Sequence, residues 1–172
     1  MEWDLGGVKI RPWKNEDAES IVKHANNRKV WKNLRDRFPH PYTLEDAKEW
    51  SHLVATTDAG KNFWTIEVNG EAAGGISLTE GQDVHRVAAE IGYWVGEEHW
   101  NKGIVTRAVG VVTEYGLNEL GLHRIYTGIY EWNPASMRVL EKNGYVKEGV
   151  ERKSIIKDGQ VIDTHLWAKV KE

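Results

Sequence analysis

Hydrophobic and polar positions divide most of the chain into seven strand-like runs and four segments with helical spacing of their apolar residues. The Asn69-Gly70 pair separates two of the runs and is typical of a two-residue hairpin turn. A second hairpin is predicted across 157–160, and 81–86 is predicted as a loop. The predicted strands cover 8–13, 62–68, 71–78, 87–95, 124–130, 145–153 or slightly beyond, and 161–170.

The four predicted helices cover 16–26, 43–59, 103–120 and 134–143. Asn15 introduces the first of them, and Thr43 with Asp46 gives the second a start that resembles a capping box. The order β-α-α-β-β-β-α-β-α-β-β predicts a mixed α/β sheet with helices on both faces. The strand-helix-strand unit from 90 to 130 should be parallel and right-handed.

Composition narrows the classes of function. The 172 residues suit a single domain, and 40% hydrophobic with 28% charged residues is a soluble, globular composition. The chain has no cysteine, which excludes disulfides, thiolate metal sites and thiol nucleophiles. A formal charge of -3 without a basic block argues against nucleic-acid binding. No leader or membrane span is recognisable, so we expect a cytoplasmic protein without membrane contact.

Residues 100–106, Trp-Asn-Lys-Gly-Ile-Val-Thr, join a predicted strand to a predicted helix. Such a turn is an anion site, because the N–H groups of the first helical turn and the helix dipole face the ligand. Gly103 would let a phosphate approach the backbone without a side chain in the way. Neither a dinucleotide Gly-x-Gly-x-x-Gly pattern nor a Gly-Lys-Ser/Thr phosphate loop occurs, so the turn alone does not identify the anion.

A second segment, 133–145, has a marked helix at its centre. Asn133 is a good N-cap, Pro134 suits the first helical position, and Gly144 suits the residue beyond the last turn. With this segment the chain resembles the GNAT acetyltransferase superfamily, and within it the RimJ/RimL-like branch, which acetylates protein N-terminal amines. Four motifs carry the resemblance in order, at 90–94, 100–103, 121–125 and 133–144, and it covers roughly 8–169.

The resemblance implies a mostly antiparallel sheet of six to seven strands, in which a splayed parallel pair holds the pantetheine arm of acetyl-CoA. Trp100 stands where Gln or Arg is common in the superfamily. Val105 replaces the usual Gly or Ala and could crowd the pyrophosphate. Glu97 and Glu98 are expected to face solvent, away from the polyanionic cofactor. The implied cofactor-binding residues are Tyr93, Trp94, Val95, Trp100, Asn101, Lys102, Gly103, Ile104, Val105, Thr106, Asn133, Ser136 and Arg138.

Two residues are candidates for catalysis. Glu90 resembles the strand glutamate that acts as base in the histone-acetylating branch, although a structural carboxylate fits the position equally well. Ser136 is a candidate proton donor to the leaving thiolate, with a plain helix-start serine as the alternative. Leu140 stands where many family members have a tyrosine that acts as the general acid, so this chain lacks the usual acid. A backbone N–H near Val95 would stabilise the oxyanion.

The acceptor is an amine, since the resemblance implies N-acetyl transfer, and the variable segments 26–42 and 153–164 would build its pocket. Trp31 and Glu90 are the candidate substrate-binding residues. We expect direct attack in a ternary complex on a protein or peptide N-terminal amine. The alternatives are a small-molecule amine, such as a polyamine or amino sugar, and a non-catalytic acyl-CoA-binding module. The protein would be a monomer or homodimer.

A metal is not indicated by the seven histidines, which show no ligand spacing such as His-x-x-x-His. His123 belongs to the Gly-Leu-His-Arg-Ile motif, where a packing role is expected.

Overall fold

The structure, a computed structural model, describes residues 1–172 apart from the side chain of Ala59. Over these residues the chain forms eight strands and five α-helices. The strands are β1 (Trp3–Asp4), β2 (Val8–Arg11), β3 (Phe63–Val68), β4 (Glu71–Glu80), β5 (Ala88–Val95), β6 (Arg124–Tyr130), β7 (Val146–Lys157) and β8 (Gln160–Val170). The helices are α1 (Asp17–Ala25), α2 (Arg28–Trp31), α3 (Leu44–Thr56), α4 (Ile104–Asn118) and α5 (Pro134–Lys142).

The strands follow the order β1-β2-β3-β4-β5-β6-β8-β7 in one sheet. The β5 and β6 strands run parallel, and the pairs β1/β2, β2/β3, β3/β4, β6/β8 and β7/β8 are antiparallel. This mixed, mostly antiparallel sheet confirms the predicted fold class. The eighth strand, β1, was not predicted, because two residues are too few to show alternation. Its Trp3 packs edge-on against Trp64, with ring centroids 5.4 Å apart.

The chain divides into two compact units. Unit 1 comprises 1–77 and 93–108, and unit 2 comprises 78–92 and 109–172. In unit 1 the α1 and α3 helices share a buried cluster with the strands, made by Ala18, Ile21, Ala25, Tyr42, Ala47 and Ala72. Among the described residues, no helix combines the length and the apolar character that crossing a membrane requires.

The start of α1 depends on a buried ion pair in unit 1. The Asp17 carboxylate accepts from both terminal nitrogens of Arg11, each at 2.8 Å, and from the backbone N–H of Lys14 at 2.9 Å. Hydrogen bonding to Asp17 raises the pKa of Arg11 above its usual range, so this guanidinium stays charged. The N-cap is Glu16, and the prediction that Asn15 introduces the helix was therefore wrong by one residue.

The other helix ends follow local sequence signals. Thr43 and Asp46 form the predicted capping box at α3, which ends at Thr56 and is followed by a separate 3-10 turn over Asp58–Gly60. The one-turn helix α2 was not predicted. Its N-cap is Asn27, whose side chain accepts from the Lys29 N–H at 2.8 Å.

In unit 2 the α4 helix packs closely on β4 and β6. A Cβ on Gly116 would lie 2.7 Å from Ile125 Cδ1 and 2.9 Å from Leu78 Cδ1, so a side chain there would displace both methyl groups. The hydroxyls of Thr113 on α4 and Tyr145 after α5 are 2.8 Å apart and buried. Burial raises the pKa of Tyr145 above its usual range, which keeps the phenol protonated in this structural hydrogen bond.

The last hairpin of unit 2, β7 with β8, turns through Asp158 and Gly159, as predicted for 157–160. Its register shifts twice, between Lys147 and Gly149 and between Glu151 and Ile155. At the second shift Lys153 has a φ of 51° and donates its N–H to Asp163 Oδ1 at 2.8 Å. The predicted strand 145–153 therefore continues to Lys157 through an irregularity.

Candidate functional site

The segment of β5 that carries Glu90 has the alternation of a strand with one buried face. Ala89 and Ile91 are fully buried, whereas Glu90 is half-buried and Gly92 is exposed. Glu90 lies opposite Tyr126 in the parallel register with β6. That register covers Ala88–Glu90 against Arg124–Tyr126, and each strand continues beyond it. The catalytic candidate thus lies where the parallel pairing of unit 2 ends.

In unit 1 the chain leaves β5 through a 3-10 turn at Glu97–His99 and reaches Trp100. The Trp100 N–H donates to Glu97 O at 3.1 Å, and its indole Nε1–H donates to Val95 O at 2.9 Å. The tryptophan that replaces the usual Gln or Arg therefore closes the turn onto the end of the strand. This contact is structural and explains why an aromatic donor fits the position.

The turn itself contains two residues in the left-handed region. Asn101 has a φ of 59° and Gly103 a φ of 70°, and α4 begins at Ile104. A Cβ on Gly103 would meet none of the described atoms within 4 Å. Glycine is thus favoured there by its backbone conformation, and the space beside it is open. Asn101, Lys102 and Gly103 are exposed.

The first turn of α4 is anchored on one side only. Ile104 is 4% exposed and packs inward, whereas Val105 and Thr106 are half-buried. Ile104 is therefore a packing residue, and any contact it makes with a ligand would be through its backbone. The N–H groups at this helix start have no partner one turn earlier within the helix, which leaves an anion-binding geometry beside the exposed turn.

The Trp94 side chain belongs to the core of unit 1. Its ring meets Phe38 edge-on at 5.2 Å, and Phe38 lies 4.9 Å from Tyr42. The Trp94 carbonyl approaches β4 so closely that a Cβ on Gly74 would lie 2.2 Å from it. Tyr93 is half-buried and Val95 is buried. Of these three predicted cofactor residues, Trp94 has a side chain fully accounted for by packing.

The predicted helix in the second segment is present as α5, and its ends are confirmed. Asn133 accepts from the Ser136 N–H at 3.3 Å, Pro134 occupies the first turn, and Gly144 has a φ of 77°. Ser136 is half-buried and Arg138 is exposed. Leu140, at the family's tyrosine position, is fully buried. The Asn133 side chain is therefore a cap, and any role with a ligand comes in addition to that.

Trp31, which the sequence predicts to bind the substrate, is the last residue of the short helix α2. Its half-buried ring lies 5.3 Å below the Arg28 guanidinium and 5.8 Å from the His40 ring. The segment is tied to the turn before Trp100, because Glu97 accepts from Asn27 Nδ2 at 2.8 Å and pairs with Lys29. Pairing with Lys29 lowers the pKa of Glu97. The side chains of Glu97 and Glu98 are 38% and 54% exposed, in agreement with the expectation that they face solvent, and Glu97 also pairs with α2.

The expectation about His123 was wrong, and three other residues, two of them histidines, form a group that the sequence did not indicate. The His123 side chain is exposed and does not pack in the core. Its contact with the neighbouring segment is a backbone hydrogen bond, in which the His123 N–H donates to Val87 O at 2.8 Å. His24, Glu98 and His99 form a compact group whose potential metal-ligating atoms lie within 4.8 Å of one another. Linear spacing could not reveal this group, because His24 comes from α1 and the other two from the turn after β5.

The mixed sheet, the glycine turn and the helix start after it form a fold with an anion-binding geometry at the turn. Residues 8–146 match the Acetyltransferase (GNAT) domain, and the chain belongs to this family. It is 38% identical over 166 residues to the uncharacterized N-acetyltransferase YoaA of Bacillus subtilis, covering 94% of this chain and 92% of YoaA. GNAT acetyltransferases use acetyl-CoA, and this chain is an N-acetyltransferase.

Two further relatives differ in their acceptors. The spermidine N(1)-acetyltransferase of Escherichia coli K12 is 32% identical over 144 residues, 83% of this chain and 74% of that enzyme. The solved structure of RimL, a ribosomal L7/L12 alpha-N-protein acetyltransferase in complex with coenzyme A, has a TM-score of 0.86 and 18% identity. It covers 99% of this chain and 98% of RimL. The RimL likeness supports the fold.

Proposed function

We propose that the protein transfers the acetyl group of acetyl-CoA to the α-amine of a protein or peptide. The observation that carries the cofactor half of this proposal is the turn at Gly103, open beside the start of α4. An acetyl-CoA pyrophosphate fits there, since exposed backbone donors and the helix dipole both favour an anion. A side chain at Gly103 would occupy the same space.

The cofactor residues proposed in unit 1 act mainly through the main chain. The backbone of 100–106 would hold the pyrophosphate, and the backbone of 93–95 would receive the pantetheine amides and supply an oxyanion N–H. In unit 2, Asn133 and Arg138 on α5 are the proposed polar contacts. Because Ile104 is buried and the half-buried Trp94 packs against the core, substitution of their side chains is expected to act through the fold.

Bound acetyl-CoA supplies a thioester carbonyl that an amine can attack. Glu90 is proposed to accept the amine proton, directly or through water, as the new C–N bond forms. The C–S bond then breaks, and Ser136 is proposed to give the departing sulfur a proton or a hydrogen bond. The chain has no cysteine, so a covalent acetyl-cysteine route is closed and direct attack remains.

A neutral amine is required, and an α-amine loses its proton with a pKa of roughly 7.7 to 8.0, whereas a lysine-type amine does so near about 10.4. Near neutral pH a usable fraction of α-amine is thus already reactive. Positioning and modest base catalysis can supply the remainder of the acceleration. This chemistry favours an N-terminal amine over a primary alkylamine.

The charge of the segment assigned to the acceptor pocket also favours a peptide. Between 26 and 42 the chain carries five basic residues and one acidic residue, Asp36, within a protein whose overall formal charge is -3. Such a segment repels a polycation and attracts an acidic polypeptide. The basic residues are Arg28, Lys29, Lys32, Arg35 and Arg37.

Spermidine stays the second candidate, because a relative 32% identical to this chain is a spermidine N(1)-acetyltransferase. A thiol-release assay should compare three acceptors at equal concentration. These are a peptide with a free N-terminus followed by acidic residues, the same peptide with lysines in place of the acids, and spermidine. We expect the acidic peptide to give the highest kcat/KM, with a rate that falls as salt is added.

Charge-reversal variants sharpen the acceptor assignment. Arg35→Glu and Arg37→Glu change exposed residues of the segment and should lower kcat/KM for the acidic peptide. Lys48→Glu, on an exposed position of α3, is the matched control and should not change it. Highest activity with spermidine would assign the polyamine, and thermal stabilisation by coenzyme A without thiol release on any acceptor would indicate a binding module.

A further inference from the structure

His24 of α1 is a buried imidazole held between two carboxylates in unit 1. Its side chain is 2% exposed. Its Nε2 lies 3.0 Å from Glu71 Oε1, and its Nδ1 lies 3.4 Å from Glu98 Oε1. The ring also approaches His99, with ring centroids 5.3 Å apart.

The surroundings of His24 place a carboxylate at each ring nitrogen. In the tautomer that donates Nε2–H to Glu71, the lone pair lies on Nδ1, on the side of Glu98 and His99. This carboxylate–histidine arrangement is the one that orients metal-ligating imidazoles, with the carboxylate behind the ligand. Gly96 packs closely beside this ring, because a Cβ built on Gly96 would lie 2.3 Å from His24 Nδ1.

His99 offers a second imidazole on the same side. Its side chain is 14% exposed, and its Nε2 lies 3.9 Å from Glu98 Oε1. A neutral imidazole at this position can offer a nitrogen lone pair to a metal.

We propose that His24, Glu98 and His99 bind a divalent transition metal such as Zn²⁺, with Glu71 orienting His24. The ligand atoms lie within 4.8 Å of one another. Tetrahedral ligands about 2.0–2.1 Å from zinc are separated by about 3.3 Å. The His24–Glu98 pair, at 3.4 Å, is close to that separation already. His99 Nε2, now 3.9 Å from Glu98 Oε1, would move inward by rotation of its partly exposed side chain. Water would complete the four ligands.

Two lysines oppose the metal. Lys23 Nζ lies 2.9 Å from Glu71 Oε1 and 3.4 Å from Glu98 Oε1, so it must release Glu98 when a cation enters. Lys102 adds positive charge near His99. Removing the Lys23 ammonium should therefore increase the affinity for the metal, whereas removing a ligand should decrease it.

The test is zinc and cobalt titration of the purified chain without coenzyme A, whose thiol would itself bind these ions. We expect one Zn²⁺ per chain by equilibrium dialysis and visible absorption of tetrahedral Co²⁺. His99→Ala and Glu98→Gln should each weaken binding by at least about tenfold, and Lys23→Ala should strengthen it. The matched controls, Glu97→Gln in the same turn and His52→Ala at an exposed site on α3, should bind as the unmodified protein does.

Absence of a stoichiometric zinc signal in the unmodified protein would overturn the proposal. So would equal zinc binding by the unmodified protein and a folded His99→Ala, Glu98→Gln double variant. In either case the cluster is a structural ion-pair group centred on His24. Circular dichroism of each variant shows that it is folded before it is titrated, and neither ligand variant changes a fully buried residue.

Discussion

Two helix starts in this protein are built in opposite ways. The α5 helix begins at Asn133, whose side chain accepts from the Ser136 N–H, and continues through Pro134. The α4 helix begins after Gly103, which has a φ of 70° and open space where a side chain would lie. At α5 the protein's own amide group satisfies a backbone donor. At α4 the space beside the turn is open to an approaching ligand.

The difference separates a helix start that serves stability from one that serves binding. A capped start is worth about 0.5–2 kcal/mol to the fold, and the donor it satisfies is no longer offered to a ligand. A helix start beside open space, as at Gly103, leaves room for an anion, and we propose the acetyl-CoA pyrophosphate there. Substitutions at α4 should therefore change cofactor affinity with little effect on stability, and cap substitutions at α5 should do the reverse.

The largest effect is expected for Gly103→Asp. The change adds a β-carbon in the left-handed region and a negative charge at the proposed pyrophosphate site, so acetyl-CoA binding should become too weak to measure by calorimetry. The melting temperature should change far less than the affinity.

Gly121→Asp is the matched control for backbone strain. Gly121 has a φ of 68°, is exposed, and has none of the described atoms within 4 Å of its Cβ direction. If both variants lose stability equally and Gly103→Asp keeps its affinity, the α4 turn is not the anion site.

Ser136→Ala should lower kcat by about ten to a thousandfold if the hydroxyl serves the departing sulfur. The backbone N–H that Asn133 accepts is unchanged by this substitution, so the melting temperature should stay nearly the same. Steady-state kinetics of this variant give kcat, and thermal denaturation gives its melting temperature. A parallel loss of stability and activity would make the serine part of the α5 cap.

A smaller, pH-dependent effect is expected for Glu90→Gln. If the carboxylate accepts the amine proton, the variant should lose about tenfold in kcat near neutral pH. The loss should shrink as pH rises through roughly 8, because free α-amine then becomes abundant. A pH–rate profile parallel to that of the unmodified enzyme would make Glu90 a structural carboxylate at the end of the parallel register.

The smallest effect is expected for Asn133→Ala. Loss of the cap should reduce the free energy of unfolding by about 1 kcal/mol and the melting temperature by about 2–4 °C. Asn133→Ser keeps a capping oxygen and should restore most of the stability. A large loss of cofactor affinity in Asn133→Ser, with stability preserved, would show that the amide also contacts the ligand.

The elements of this fold that the sequence predicts best are those specified by local signals. The capping box at Thr43, both ends of α5 and the Asn69-Gly70 hairpin depend on residues within a few positions of each other, and each is present. The unpredicted elements are α2 and β1, which are too short for a hydrophobic period to show. Their stability comes from tertiary contacts such as the Glu97 pairs with Asn27 and Lys29.

The candidate site was predictable where the backbone itself carries the chemistry. A glycine before a helix is readable in sequence, and the left-handed Gly103 follows from it. The packing of the Trp94 ring against Phe38 is not readable, because the partner lies far away in the chain. The same holds for the group of His24 and His99. Acceptor preference is harder still, since it depends on side-chain placement in variable segments.

The β7 strand lies at one end of the sheet and has consequences for self-association. An exposed edge recruits a further strand only when it offers a continuous row of unpaired backbone groups. The two register shifts break β7 into short pieces, and charges of both signs between them, including Glu151 and Arg152, discourage stacking. A regular strand would place the exposed Val146, Val150 and Ile156 along one continuous hydrophobic edge. Its irregularities therefore disfavour the addition of a further strand at this edge.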